Sequence, residues 1–249
     1  MLREPLMQKL TRLRLPGFRE GLEEQWSSPQ YSELSFEERL GMLVDLECTR
    51  RDDSSLHRRV RAARLALPAT IEDLNLSPSR GLDRSFILEL AQGEWIRRHL
   101  NVLIVGPTGV GKSYLACALG QTACRNSHSV RYHRTSRLLH DLVLSHADGS
   151  FAKVLGSLAR VHLLILDDWL HDPLTVSQAR DLLEIIDDRY GHASTLLSTQ
   201  IPVQDWHAHL PDPTLADAIL DRLVHNAYTL KLEGGSMRKA YSPLADDHR

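Results

Sequence analysis

The segment "NVLIVGPTGVGKSYLACALG", residues 101–120, constrains this chain more than any other. An apolar run of strand type stops at Gly106, glycines recur at 109 and 111, and Lys112 and Ser113 open a stretch of helical apolar spacing. G-x-x-x-x-G-K-S between a strand and a helix is the setting in which a glycine-rich loop wraps phosphate oxygens. Glycine lets the backbone turn so that successive N–H groups converge on one anion. The start of the following helix adds its positive dipole end. Gly106, Pro107, Thr108, Gly109, Val110, Gly111, Lys112, Ser113 and Tyr114 are therefore the expected contacts to a nucleotide such as ATP. Lys112 would reach the β- and γ-phosphates, and the Ser113 hydroxyl would ligate Mg2+.

Bulk properties narrow the class further. With 249 residues, 42% hydrophobic and 25% charged, the chain can bury a sizeable core. A formal net charge of −2 gives no overall nucleic-acid signal, so any basic surface must be local. Three cysteines, Cys48, Cys117 and Cys124, are too few for a disulfide framework or a zinc cage, and suit a reducing cytosol. "MLREPLMQKLTRLRL" carries charges throughout and is not a signal peptide, and no window approaches the ~20 apolar residues of a membrane span. A cytoplasmic protein without membrane contact is expected.

Residues 1–67 read as helices only. Pro16-Gly17 breaks an apolar helical pattern, and Ser35 followed by Glu38 is a capping-box signature. Arg50, Arg51, Arg58, Arg59, Arg61 and Arg64 crowd the end of this segment, interrupted by only two acids, Asp52 and Asp53. Either they form a solvated helix face, or, lacking partners, they meet the phosphates of duplex DNA. Residues 68–85, with Pro68, Pro78 and Gly81, read as the join to a second domain over 68–249. After a helix over 85–100, strands near 101–105, 129–133, 161–168, 194–199 and 227–232 alternate with helices near 112–126, 137–144 and 177–190 and with helical turns over 203–226. That alternation predicts an α/β fold, a five-stranded parallel sheet flanked by helices, preceded by a small all-α N-terminal domain.

A phosphate loop needs a second metal ligand. "LLILDD" places Asp167 at the end of a buried strand, where it would hold Mg2+. Asp168 beside it could orient or deprotonate water, or cap the next segment. Two acids there favour hydrolysis over transfer to a small molecule. Ser198-Thr199-Gln200 ends another apolar strand, expected between the first and third, and Gln200 could hold the same water or simply close a strand. Arg222 on an amphipathic segment either pairs with Asp221 or serves a neighbouring subunit's nucleotide. His207 and His209 suit a surface turn better than a metal site.

Taken together, "GPTGVGKS", "LLILDDW", "LLSTQIPVQDWH", "DPTLADAILDRLVHNA" and "GGSMRKA" resemble the IstB-like ATPases, helper proteins of a bacterial insertion-sequence family. "FEERLGMLVDLECTRR" and "RAARLALPATIEDLNL" resemble the same family's helical domain. The resemblance implies an AAA+ fold related to DnaC and DnaA, and an ATPase that assembles on DNA with ATP to help a transposase. It implies that Gly106, Gly111, Lys112 and Ser113 form the Walker A element, Asp167 and Asp168 the Walker B acids, Gln200 sensor 1 and Arg222 an arginine finger. Arg238 would be a further sensing arginine. Arg131, Arg134 and Arg137 join the expected DNA contacts, and a homo-oligomer is expected.

The chain also departs from the family pattern. Asp168 stands where glutamate is usual, which implies slow hydrolysis. Gln200 replaces asparagine or aspartate, Leu170-His171 replaces an expected glycine after "DDW", and no helical lid is expected after the fifth strand. The competing readings are a DnaC-like helicase loader and an ATP-assembled DNA clamp that does not hydrolyse. A small-molecule kinase is more distant, since no acceptor motif supports it.

Overall fold

The computed structural model describes residues 3–237. Contacts within the chain gather into two compact units, one through Arg58 and one from Arg59 onward. The limit at 67/68 drawn from composition lies beyond this packing boundary.

The first unit is helical. α1 (Arg3–Arg12) and α2 (Pro16–Ser27) precede α3 (Phe36–Ala63), whose last residues belong to the second unit. The expected break falls at Pro16, which opens α2 as its N1 residue. The capping box at α3 is present: Ser35 N donates to Glu38 Oε2 at 2.8 Å and Glu38 N to Ser35 Oγ at 3.2 Å. Gly17 lets α2 approach α3 closely, because a Cβ there would lie 2.7 Å from Glu47 Cα. That packing supplies one acid that the linear arrangement hides, Glu20, and the helical turn of α3 supplies another, Glu47. Arg50 pairs with Glu20 at 2.9 Å and Arg51 with Glu47 at 2.7 Å, so the reasoning that Asp52 and Asp53 are the only nearby acids fails for these two.

The second unit is built on β1 (Asn101–Val105), β2 (Val130–Arg134), β3 (Leu163–Asp167), β4 (Ser194–Thr199) and β5 (Ala227–Lys231). All neighbours are parallel, in the order β2-β3-β4-β1-β5, so β4 does lie between β1 and β3. Every residue of β3 and β4 is buried, as a parallel sheet covered on both faces requires. Side chains alternate between the faces. Leu164, Leu166, Leu103 and Leu197 join one large cluster with α7 (Thr135–Asp148), α8 (Phe151–Ala159), α9 (Val176–Arg189) and α11 (Pro213–Val224). Ile165 turns the other way onto α6 (Lys112–Arg125), where Gly120 permits close approach.

Several boundaries follow from local chemistry. The expected helix over 85–100 is two helices, α4 (Arg84–Ala91) and α5 (Glu94–Arg97), split at Gly93 with φ +78°. Asp83 caps α4, and Thr175 with Gln178 forms a complete capping box on α9. The helical turns expected over 203–226 are a 3-10 turn (Val203–Asp205), α10 (Trp206–His209) and α11, which Asp212 caps and Pro213 opens. α8 was not anticipated.

One buried cation stitches this unit together. Arg189, 1% exposed at the end of α9, donates to the carbonyls of Leu158, Val161 and Ser194 and to Thr195 Oγ1. Burial pushes its pKa down to about 10, which leaves it charged at neutral pH. Arg189→Met would leave three carbonyls without their donor, each of which costs about 1–3 kcal/mol when buried. We expect a loss of about 3–5 kcal/mol in urea unfolding, with Arg189→Lys intermediate.

Candidate nucleotide site

The loop after β1 has the backbone that its glycines suggest. Gly109 (φ +84°) and Gly111 (φ +96°) are left-handed, and α6 starts at Lys112. Gly106 is constrained by space: a Cβ there would lie 2.4 Å from the carbonyl oxygen of Leu232, where the chain leaving β5 crosses. Lys112 is buried and its Nζ donates to the Pro107 carbonyl at 2.9 Å.

Asp167 ends β3 at 3% exposure, and three hydroxyls converge on it. Ser113 Oγ donates to Oδ1 at 3.1 Å, Ser198 Oγ also donates to Oδ1, and Tyr132 Oη donates to Oδ2 at 2.6 Å. Burial, reinforced by the hydrogen bond to Asp167, holds the Tyr132 phenol well above its ordinary pKa. The pairing of a hydroxyl with a carboxylate suits Mg2+, a hard cation that keeps water and phosphate in most of its shell. Among the described residues no group of three or more His, Cys, Asp or Glu could hold a metal, so an ion at Ser113 and Asp167 would complete its shell from such ligands. Tyr132 and Ser198 had no assigned part here. The alternation of β2 could have pointed to Tyr132, since it shares a sheet face with Arg134.

Asp168 adopts φ +56°, and Arg134 grips it: Nη2 and Nε donate to Oδ2 at 2.7 and 3.1 Å. The hydrogen bond and charge of Asp168 raise the pKa of Arg134. The proposed base and a proposed DNA contact thus hold each other. Thr108 Oγ1 donates to Gln200 Oε1, which ties Gln200 to the phosphate loop. Leu170, where a glycine was expected, takes a glycine-like φ of +55° and is buried.

The loop opens on a cleft of about 590 Å3. Its other wall comes from Leu67 and from the stretch read as a linker, through Asp73, Leu74, Asn75, Arg80 and Leu82. Met237 closes one side, its N–H donating to the Gly109 carbonyl at 2.9 Å. Composition concealed this wall, because proline, glycine and serine between helices look alike in a linker and in an ordered pocket.

Arg222 lies elsewhere. Asn101, the first residue of β1, donates to its carbonyl at 3.2 Å, whereas the phosphate loop follows the last residue of that strand. Its guanidinium pairs with Asp187 of α9 rather than with Asp221. On β2, His133 is surrounded by Arg131, Asp141, Arg64 and Arg137, and burial above all pushes its pKa down to about 4. Among the described residues, Arg58, Arg61, Arg64, Arg131 and Arg137 make no ion pair, and Arg59 donates to the Cys124 carbonyl at 2.9 Å. Arg238 lies outside the described residues.

Residues 8–245 match the family described as IstB-like ATP binding protein. A Sinorhizobium fredii protein described as an insertion-sequence ATP-binding protein, y4pL, is 46% identical over 96% of this chain and 98% of its own length. The corresponding IS1162 protein of Pseudomonas fluorescens is 48% identical over 81% of this chain and 88% of its own, and the IS21 protein of Pseudomonas aeruginosa 31% identical over 96% and 94%. Solved structures share the fold. DnaI superposes with a TM-score of 0.58 at 20% identity, covering 71% of this chain and 93% of that one. The DnaC helicase loader gives 0.54 at 20%, covering 71% and 99%. The sheet, the phosphate loop and these likenesses together make the chain a member of the IstB-like ATP binding protein family, built on the P-loop AAA+ fold.

Proposed function

We propose that the chain is an ATP-hydrolysing helper of an insertion-sequence transposase, which assembles with further copies of itself on duplex DNA. The observation that carries this reading is the separation of Arg222 from the phosphate loop by the length of β1. Five strand residues span roughly 13–17 Å, so an Arg222 that serves a nucleotide would serve that of another subunit. In such an assembly each site is completed by its neighbour.

The residues would divide the work as follows. The loop amides and Lys112 hold the phosphates, while Ser113 and Asp167 hold Mg2+. That ion, when bound, neutralises charge on the transferring phosphoryl group. Asp168 orients the attacking water and accepts its proton, and Gln200, anchored to Thr108, fixes the far side of that water. Arg222 of a neighbour stabilises the transition-state charge. Asp168 is available for this only when Arg134 releases it, because a carboxylate oxygen that accepts two guanidinium N–H groups has less room for water. Arg134 is exposed at the same edge strand as Arg131 and near Arg137. DNA phosphate is a rival anion for Arg134, and that competition couples DNA binding to hydrolysis. Recognition of a transposase is inferred from what the relatives are described as, ATP-binding proteins of insertion sequences.

Three outcomes test this reading. Asp168→Asn and Arg222→Ala should each abolish ATP turnover, and mixing them should restore about a quarter of wild-type activity, the share expected from random pairing of two subunit types around complete sites. No recovery on mixing would remove the shared site. Arg134→Ala should raise turnover without DNA several-fold and shrink its stimulation by DNA; a uniformly slower enzyme would mean that Arg134 merely orients Asp168. Arg64→Ala with Arg137→Ala should weaken binding to a duplex and flatten the salt slope by about two, the value for two lost phosphate contacts, with ATP affinity unchanged in a nucleotide titration.

A further inference from the structure

The wall of the cleft that meets the phosphate loop contains a cation that makes no ion pair among the described residues. Arg80 ends a short 3-10 turn (Pro78–Arg80), and its backbone is pinned on both sides: its N–H donates to the Ser77 carbonyl, and Glu233 N donates to its carbonyl at 3.0 Å. The side chain is 8% exposed and lines the cleft. Nη2 donates to the Val110 carbonyl and lies 3.2 Å from where a Cβ on Gly111 would stand. Nε has no hydrogen-bond partner, and Arg80 makes no ion pair among the described residues. The two carboxylates that line the same cleft are engaged elsewhere, Asp73 by Thr70 Oγ1 at 2.7 Å and Asp168 by Arg134.

A guanidinium so deeply buried is costly without an anion, and one carbonyl does not neutralise it. Its position argues for what the anion is. Arg80 meets the loop at Val110 and Gly111, next to the first turn of α6, where backbone N–H groups already favour negative charge. Its planar fork matches phosphate oxygens. We propose that Arg80 is a phosphate-binding residue of this site, contacting the part of the nucleotide that di- and triphosphates share, opposite the γ-phosphate side to which the sequence motif assigns Lys112. This rests on the reading that the loop holds a nucleotide. It adds a ligand from a segment with no sequence motif.

The test is calorimetric titration of ADP and of ATP into the full chain, with melting of the nucleotide-free protein measured in parallel. In Arg80→Met both affinities should fall about tenfold or more, and to a similar degree, the loss expected for a charge-assisted contact. The nucleotide-free variant should melt at or above the wild-type temperature, since an uncompensated buried charge has been removed. Arg80→Lys, which keeps the charge and loses the fork, should fall between. Unchanged affinity would overturn the assignment, as would a loss confined to ATP. Affinity lost together with a lower nucleotide-free melting temperature would make Arg80 a brace for the loop, which also overturns it. Wild-type protein that binds neither nucleotide would overturn instead the phosphate-site reading beneath it.

Discussion

Asp167 carries a carboxylate to a place that is 3% exposed, at the end of a strand with every residue buried. An ionised group there is tolerable only if its oxygens are satisfied. They are, by hydroxyls from three different elements: Ser113 of α6, Tyr132 of β2 and Ser198 of β4. The backbone carbonyl of the same residue accepts from Thr135 Oγ1 at the head of α7 at 2.9 Å. One residue therefore aligns the ends of three strands and the start of two helices. The phosphate loop, the candidate base and Gln200 all hang from those ends. Damage to Asp167 would disturb the geometry of the site as well as remove the candidate metal ligand.

The same sheet separates the chemistry into two ends. The phosphate loop, Asp167, Asp168 and Gln200 stand at the carboxyl ends of β1, β3 and β4, where ligands sit in parallel sheets. Arg222 stands at the amino end of β1, held by Asp187. A parallel sheet cannot fold one end onto the other, so the Arg222 end of β1 stays apart from the phosphate-loop end of the same chain. In the assembly proposed above, the Arg222–Asp187 pair would be the resting state of that arginine. An exposed or half-exposed ion pair contributes little by itself, and the phosphates of a neighbouring nucleotide offer the arginine a stronger partner.

What was legible in the sequence was local. The phosphate loop, the acids closing β3, the capping boxes and the strand–helix alternation depend on residues a few positions apart, and short-range backbone chemistry fixes them. What was hidden depends on distance along the chain. Arg50 finds Glu20 across a helix pair, and Arg222 finds Asp187 from another helix. Arg134 reaches Asp168 because β2 and β3 align Arg134 with Asp167. The wall of the cleft over residues 67–82 was invisible for another reason. Its two prolines and Gly81 shape an ordered path, and composition does not distinguish that from a flexible join.

Leu170 shows where a family pattern and a fold can part without conflict. The family pattern leads one to expect glycine after Asp168-Trp169, and a leucine departs from it. The structure keeps the turn: Leu170 sits at φ +55°, His171 N donates to the Asp168 carbonyl at 3.2 Å, and Trp169 N donates to the Ser198 carbonyl at 2.8 Å. A branched side chain in that conformation costs about 1–2 kcal/mol. Leu170 is 3% exposed within the cluster that includes Trp169 and Trp206, and burying a leucine contributes roughly 1.5–3 kcal/mol. The two effects are of similar size, so packing offsets the strain and the loop stays where Asp168 needs it. The sequence rule for this turn is thus a rule about backbone conformation, and a sufficiently buried side chain can satisfy it without glycine.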